Sequence, residues 1–183
     1  PSLILWGPPG CGKTTIARLL AGATNLAFEQ LSAIFSGVAE LRKSFDRAKI
    51  MREQGKGTLL FIDEIHRFNR GQQDSFLPHM EDGTITLVGA TTENPSFELN
   101  AALLSRASVL TLNRLDDAAL ETVLQRAEAE MGRKIPVDAD AREAIKGMAD
   151  GDGRSIINLS EVVFSAIPET AIPINRDALV KLV

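Results

Sequence analysis

Eight residues restrict this chain more than any others: Gly7–Thr14, "GPPGCGKT". They satisfy the pattern G-x-x-x-x-G-K-[ST] in full, between an apolar run, "SLILW" (2–6), and a stretch with helical spacing, "KTTIARLLAGA". A strand that feeds a glycine-rich turn and then a helix is the setting in which this pattern holds phosphate. Gly7, Gly10 and Gly12 let backbone amides curl around an anion, and the start of the helix adds donors of its own. Lys13 is expected to reach the β and γ phosphates, and Thr14 to offer its hydroxyl to Mg²⁺. Cys11 occupies an unconstrained position of the motif and reads as small filler, not a nucleophile. It is the only cysteine in 183 residues, so no intramolecular disulfide or zinc knuckle is expected and a reducing compartment fits best.

Such a turn calls for further parallel strands, and the chain supplies them. "AFEQL" (27–31), "TLLFID" (58–63), "TITLVGAT" (84–91) and "SVLTL" (108–112) all read as strands. Between them, residues 37–55 place Val38, Leu41, Phe45, Ala48 and Met51 on one helical face and stop at Gly55. "GQQDSFLPHMEDG" reads as a helix interrupted near Pro78, and residues 94–106 as a short apolar helix that stops at Arg106. Strand–helix alternation of this kind predicts an α/β fold with a mostly parallel sheet in three layers. After "NRLD" (113–116) the texture becomes helical throughout. The expected division is an α/β nucleotide-binding core over 1–113 and a small all-helical lid domain over 114–183. The chain opens inside a strand-like run and closes inside a helical one, so it reads as a fragment of a longer protein.

Composition narrows the chemistry. With 20 basic and 24 acidic residues the formal charge is −4, which argues against a bulk-cationic nucleic-acid binder and leaves room for a local basic face. The candidate face is Arg42, Lys43, Arg47, Lys49, Arg52 and Lys56, but Glu40, Asp46 and Glu53 are interleaved with them. That mixture reads first as a solvated helix surface. No apolar run is long enough to span a bilayer, and no membrane partner is expected.

A phosphate loop needs a partner that handles metal and water. "TLLFIDE" is an apolar strand ending in two carboxylates, which are costly at such a place without a cation. Asp63 is expected to hold the water shell of Mg²⁺ and Glu64 to polarise an attacking water. "GATTEN" places Thr91, Thr92 and Asn94 just past the next strand. These short polar groups suit either sensing of a γ-phosphate or capping of a turn, and the residues alone leave both open. His66 and His79 lack zinc-site spacing. His66 is expected to support a neighbouring group, and Trp6 to pack in the core or at a domain interface and not to serve as a base-stacking platform. Phe68, Asn69 and Arg70 read as an exposed corner, with Asn69 as a helix N-cap.

The phosphate loop, "FIDEIHRFNRGQQDSFLPHMEDGTITLVGATTENPSFELNAALLSR" and "GDGR" together resemble the AAA+ ATPases. Within them, they resemble the replication-associated recombination protein A / MgsA group, whose eukaryotic relative is the Werner helicase-interacting protein. The resemblance covers almost all of residues 1–165. It implies that Gly7, Pro8, Pro9, Gly10, Cys11, Gly12, Lys13, Thr14 and Thr15 bind ATP, that Thr14 and Asp63 hold Mg²⁺, and that Asp63 and Glu64 form the Walker B pair. It further implies sensor 1 at Thr92, with Thr91 as alternate, an arginine finger at Arg106, and sensor 2 at Arg154. The group commonly has "GDARRALN" where this chain has "GDGRSIIN". The glycine at 153 is expected to cost up to about 1 kcal/mol in a helix, and to loosen closure of the lid. The function implied is a cytoplasmic, DNA-dependent ATPase acting at stalled or gapped replication forks. Its implied partners are single-stranded or gapped DNA, single-stranded DNA-binding protein, and identical copies forming a homotetramer through a C-terminal domain. A clamp-loader-like subunit and a non-hydrolysing ATP-gated scaffold are the alternatives.

Overall fold

The computed structural model describes residues 1–169 and 171–183. Five strands, β1 (Ser2–Trp6), β2 (Ala27–Ser32), β3 (Thr58–Asp63), β4 (Ile85–Thr91) and β5 (Ala107–Thr111), form a parallel sheet in the order β2-β3-β4-β1-β5. Successive residues of each strand point to opposite faces, and the sheet buries both. Ile4, Leu60, Ile62 and Leu87 face one side, where they meet Leu41, Phe45 and Ala48. The last three belong to helix α2 (Val38–Glu53), while helix α1 (Lys13–Ala23) covers the other face. There Leu5, Leu59, Phe61, Val88 and Ala90 pack with Ala17 and Ala21. Burial on both sides explains why β1, β3 and β4 read as continuous apolar runs.

The connections contain shorter helices: α3 (Arg70–Asp74), α4 (Leu77–Glu81), α5 (Pro95–Glu98) and α6 (Ala101–Leu104). Three details differ from the sequence reading. The break in the "GQQDSFLPHME" helix falls at Ser75–Phe76, and Pro78 lies in the first turn of α4. A proline costs little there because the first-turn N–H groups have no intrahelical acceptor. The apolar helix expected over 94–106 is two helices, with Asn94 and Asn100 at their starts. Phe68 is not exposed; it is 3 % accessible and belongs to the core.

Packing separates the chain into two units: residues 1–7 with 12–112, and residues 8–11 with 113–183. The second unit is built on α7 (Asp117–Met131), α8 (Ala139–Ala149), α9 (Gly153–Ala166) and α10 (Arg176–Leu182). Each begins with an acidic or amide cap. Asp116, Asp138, Asp152 and Asn175 accept from the amides of Ala119, Ala141, Arg154 with Ser155, and Ala178, each worth about 1 kcal/mol. Gly132 ends α7 in the left-handed conformation. Leu120, Leu124, Ile145, Ile156, Val163, Phe164 and Leu179 fill the core.

A charged cluster stitches α7 to α8. The Arg142 guanidinium donates to Glu121 (2.7 Å) and to Glu128 (2.8 Å). Lys146 pairs with Glu143 (2.7 Å) and Asp117 (3.0 Å). The Arg142 hydrogen bonds hold the Glu121 carboxyl below its ordinary value. For Glu128, burial acts in the opposite direction, and the bonds from Arg142 and from the Ile135 amide prevail and lower it. Both carboxylates therefore bind protons less readily when folded, so they stabilise the unit above the ordinary value of 4.5. That contribution is lost as pH falls below it. Replacing Arg142 with methionine is expected to cost about 2 kcal/mol, because two partly buried carboxylates lose their cation. The loss should shrink between pH 5 and pH 3, read as a narrowing gap between the chemical denaturation midpoints of variant and wild type.

Candidate functional site

Parallel pairing sets the site at the carboxyl edge of the sheet. Trp6 is level with Thr91, and Ser32 with Asp63, so the residues that follow β1, β3 and β4 emerge side by side. This is the edge at which ligands bind in open α/β sheets. The Gly7 amide donates to the Thr91 carbonyl (3.1 Å), which ties the first residue of the phosphate loop to the end of β4. The Gly7 carbonyl accepts from Lys13 Nζ (2.8 Å), and Lys13 is buried.

The loop fits a polyphosphate. Gly12 precedes α1 with φ of 95°, and nothing lies within 4 Å of the position a Cβ there would take. Helix α1 starts without a side-chain cap, and the positive end of a helix dipole favours an anion. Residues 8–11 pack within the second unit. There the Gly153 amide donates to the Gly10 carbonyl (3.0 Å), and a Cβ on Gly10 would fall 1.8 Å from Asp152 Oδ1. The same contact explains Gly153. It is the first residue of α9, where a Cβ would lie 3.2 Å from the Gly10 carbonyl and 3.0 Å from Leu115. Glycine at 153 thus serves close approach. Arg154, next in α9, is exposed.

Two oxygen donors suit a divalent cation. Thr14 stands in the first turn of α1, and Asp63 ends β3 with its Oδ1 accepting from the Glu64 amide (3.1 Å). Among the described residues no group of three or more His, Cys, Asp or Glu side chains gathers as a metal cage.

Glu64 adopts φ 53° and ψ 43°, a left-handed conformation uncommon outside glycine. Its Oε2 lies 3.3 Å from His66 Nε2, and His66 Nδ1 lies 2.8 Å from Thr91 Oγ1. Thr91 is fully buried, and its hydroxyl also accepts from the Glu93 amide (3.0 Å). Asn94 caps α5 by accepting from the Ser96 amide (3.0 Å). Thr92 is half-buried and its hydroxyl has no hydrogen bond among the described residues. Thr91, Thr92 and Asn94 therefore divide: Asn94 caps α5, Thr91 joins His66, and Thr92 is left over.

Arg106 lies elsewhere. It precedes Ala107, which is level with Ser2 at the start of β1, so it stands at the amino edge of the sheet. From there to the phosphate loop is the length of β1, about 13 Å along the strand and more to the loop itself. Its Nε and Nη2 donate to Glu81 Oε1 (2.7 and 2.6 Å), and its Nη1 to the Ala102 carbonyl (2.9 Å). The basic residues of α2 are largely partnered: Arg47 with Glu29, Arg52 with Asp82 and Lys49 with Asp46. His79 packs against the ring of Phe45 at 4.1 Å. Burial, helped by nearby Lys49, lowers its pKa.

Residues 3–115 match the family described as "ATPase family associated with various cellular activities (AAA)". The chain is 50% identical over 167 residues to replication-associated recombination protein A of Escherichia coli K12, an alignment of 88% of this chain and 37% of that protein. It is 47% identical over 173 residues to ATPase WRNIP1 of Dictyostelium discoideum, covering 92% of this chain and 20% of that one. Among solved structures it resembles the Thermotoga maritima RuvB Holliday junction branch migration motor, with TM-score 0.78, 30% identity, and coverage of 99% of this chain and 60% of that one. The chain thus spans well under half the length of these curated relatives.

One residue with a central place in the site region is invisible to motif reading. Gln73 is 2 % accessible. Its Nε2 donates to the Phe68 carbonyl (2.9 Å) and the Glu98 carbonyl (3.1 Å), and its Oε1 accepts from the Asn100 amide (2.8 Å). It thereby joins the segment after Glu64 to the α5–α6 segment that leads to Arg106. Gln73→Leu keeps the volume but strands three backbone groups. A loss of about 3 kcal/mol is expected, measured as the change in denaturation free energy.

Proposed function

Because the chain belongs to the AAA family of ATPases, we propose that it is the motor part of a longer protein that hydrolyses ATP to act on DNA at stalled or gapped replication forks. The observation that carries the hydrolytic reading is the meeting of Lys13, Asp63, Glu64 and the Thr91–Thr92 pair at one sheet edge. The replication role is supported by the likeness to replication-associated recombination protein A. Single-stranded DNA-binding protein, a homotetramer formed through sequence outside this chain, and a cytoplasmic site at the fork belong to the same proposal. Among the described residues no helix is long and apolar enough to cross a membrane.

Gly7–Thr15 hold the phosphates by backbone amides and by the Lys13 ammonium. Bound Mg²⁺ supplies charge neutralisation at the phosphate oxygens, with Thr14 and Asp63 as its protein ligands. Glu64 accepts the proton of the attacking water. Thr92 is assigned to sensing and Arg154, in the lid that begins after Asn113, to the second sensor. Arg106, at the opposite edge of its own sheet, serves the site of a neighbouring copy, where an arginine supplied in trans accelerates transfer by about a thousandfold or more.

In the full-length protein, Glu64→Gln should lower turnover at least about a hundredfold while nucleotide affinity stays within a few-fold. Unchanged turnover would remove the enzyme reading. Mixing Arg106→Ala protein with Lys13→Ala protein should restore turnover, because some interfaces then pair an intact loop with an intact arginine. Failure to recover in confirmed mixed assemblies would place Arg106 outside the reaction. Gapped DNA should raise wild-type turnover; identical rates with and without it would argue against a DNA-driven motor.

A further inference from the structure

Three hydrogen bonds and one close polar contact form a continuous path at the carboxyl edge. Lys13 Nζ donates to the Gly7 carbonyl, and the Gly7 amide donates to the Thr91 carbonyl. The Thr91 hydroxyl meets His66 Nδ1, and His66 Nε2 faces the Glu64 carboxylate. His66 is the side chain in that path that touches the hydrolytic carboxylate, and its own side chain is only 6 % accessible. A buried imidazole with a partner on each ring nitrogen has a fixed orientation.

The proton inventory sets the direction of the path. The Thr91 hydroxyl has one hydrogen and two acceptors within reach, His66 Nδ1 at 2.8 Å and the Glu93 carbonyl at 3.2 Å. The carboxylate 3.3 Å from Nε2 stabilises the ring proton on that nitrogen, which leaves Nδ1 to accept from the Thr91 hydroxyl while the Thr91 oxygen accepts from the Glu93 amide. His66 Nδ1 is then an acceptor, and the ring proton on Nε2 lies on the side of Glu64 Oε2, 3.3 Å from the nitrogen. Glu64 itself stands in a left-handed backbone conformation between β3 and the 3₁₀ turn Ile65–Arg67, where Ile65 is fully buried. That backbone fixes where the side chain starts, and His66 fixes where it ends.

We propose that His66 is a positioning residue for ATP hydrolysis. Its Nε2–H orients the Glu64 carboxylate, and its Nδ1 ties that orientation to Thr91 and so to the phosphate loop. The proposal rests on Glu64 being the hydrolytic base. A carboxylate held at one oxygen by the imidazole has its second oxygen available for the water proton. Without that donor the side chain samples other rotamers, and the fraction aligned with water falls. The consequence is a loss of kcat with little change in nucleotide binding, since no atom of His66 belongs to the phosphate loop.

The test uses steady-state ATP turnover, fluorescent-nucleotide affinity and thermal midpoint in the full-length protein. His66→Leu should lower kcat on the order of tenfold to a hundredfold, with KM for ATP moving less than threefold. His66→Gln, whose amide reaches the Nε2 position and donates to Glu64, should recover most of that loss at a thermal midpoint equal to that of His66→Leu. Thr91→Val should lower kcat by a smaller factor, and should add nothing in the His66→Leu background. Wild-type kcat in His66→Leu, or equal impairment of the leucine and glutamine variants, overturns the assignment. Should His66→Leu fail to fold, the glutamine and Thr91→Val variants decide: normal kcat in Thr91→Val overturns the tie to the loop. Glu64→Gln separates the two levels. If it is inactive while His66→Leu is active, only the His66 assignment falls; if it is active, both fall.

Discussion

Every polar group of the site depends on the parallel pairing of β1 with β4. The register that sets Trp6 level with Thr91 brings Gly7 to the end of the neighbouring strand, where its amide donates to the Thr91 carbonyl. Shift that register by one residue and each strand exchanges its two faces. Ile4 would leave the core it shares with Leu87 and Phe45, and Leu5 the core it shares with Phe61 and Ala17. The cost of mispairing is thus spread over two apolar layers, while its benefit is concentrated in a few hydrogen bonds at the carboxyl edge. A buried sheet holds a chemically delicate edge because the hydrophobic penalty for moving it is large.

That division also explains what the sequence could reveal. Strands announce themselves through Ile4, Leu60, Ile62 and Val88, since burial on both faces needs runs of apolar residues. The phosphate loop announces itself because amide donors and positive φ at Gly12 require glycine at fixed spacing. Gln73 has no such signature. Its neighbours in the chain are polar and its partners are backbone groups of Phe68, Glu98 and Asn100, which any sequence possesses. The pairing of His66 with Thr91 crosses 25 positions and is likewise silent until β3 and β4 are placed side by side. Short helices fail for a related reason. The break at Ser75–Phe76 and the split at Leu99–Asn100 sit inside stretches whose apolar spacing is continuous, and four or five residues are too few for periodicity to mark an end.

Close approach is the third thing that spacing conceals. Judged by helix propensity, Gly153 at the start of α9 is a weakness. The structure gives it a contact: its amide bonds to the Gly10 carbonyl, and Leu115 fills the space a methyl would need. Propensity scales describe a helix in isolation, whereas the first residue of α9 is packed against other backbone. A glycine in the first turn forfeits little helical hydrogen bonding, so the packing term decides.

Arg106 carries the same reasoning to the other edge of the sheet. Its pair with Glu81 is exposed, 39 % and 55 % accessible on the two side chains, and such pairs contribute only about 0.2–1 kcal/mol. Stability is therefore a poor reason for three guanidinium nitrogens to be held by Glu81, Ala102 and Ser105. What those bonds do is remove rotamers: an arginine carries about 2 kcal/mol of side-chain entropy, and ordering it beforehand lowers the cost of presenting it to a partner. The geometry has a cost of its own, because a carboxylate at 2.6 Å weakens the field that the cation exerts on a more distant anion. Orientation and field strength are in tension at this position. On the proposed reading the ligand is a phosphoryl group in a neighbouring copy, whose charge exceeds that of one carboxylate and can compete for a guanidinium that Glu81 holds.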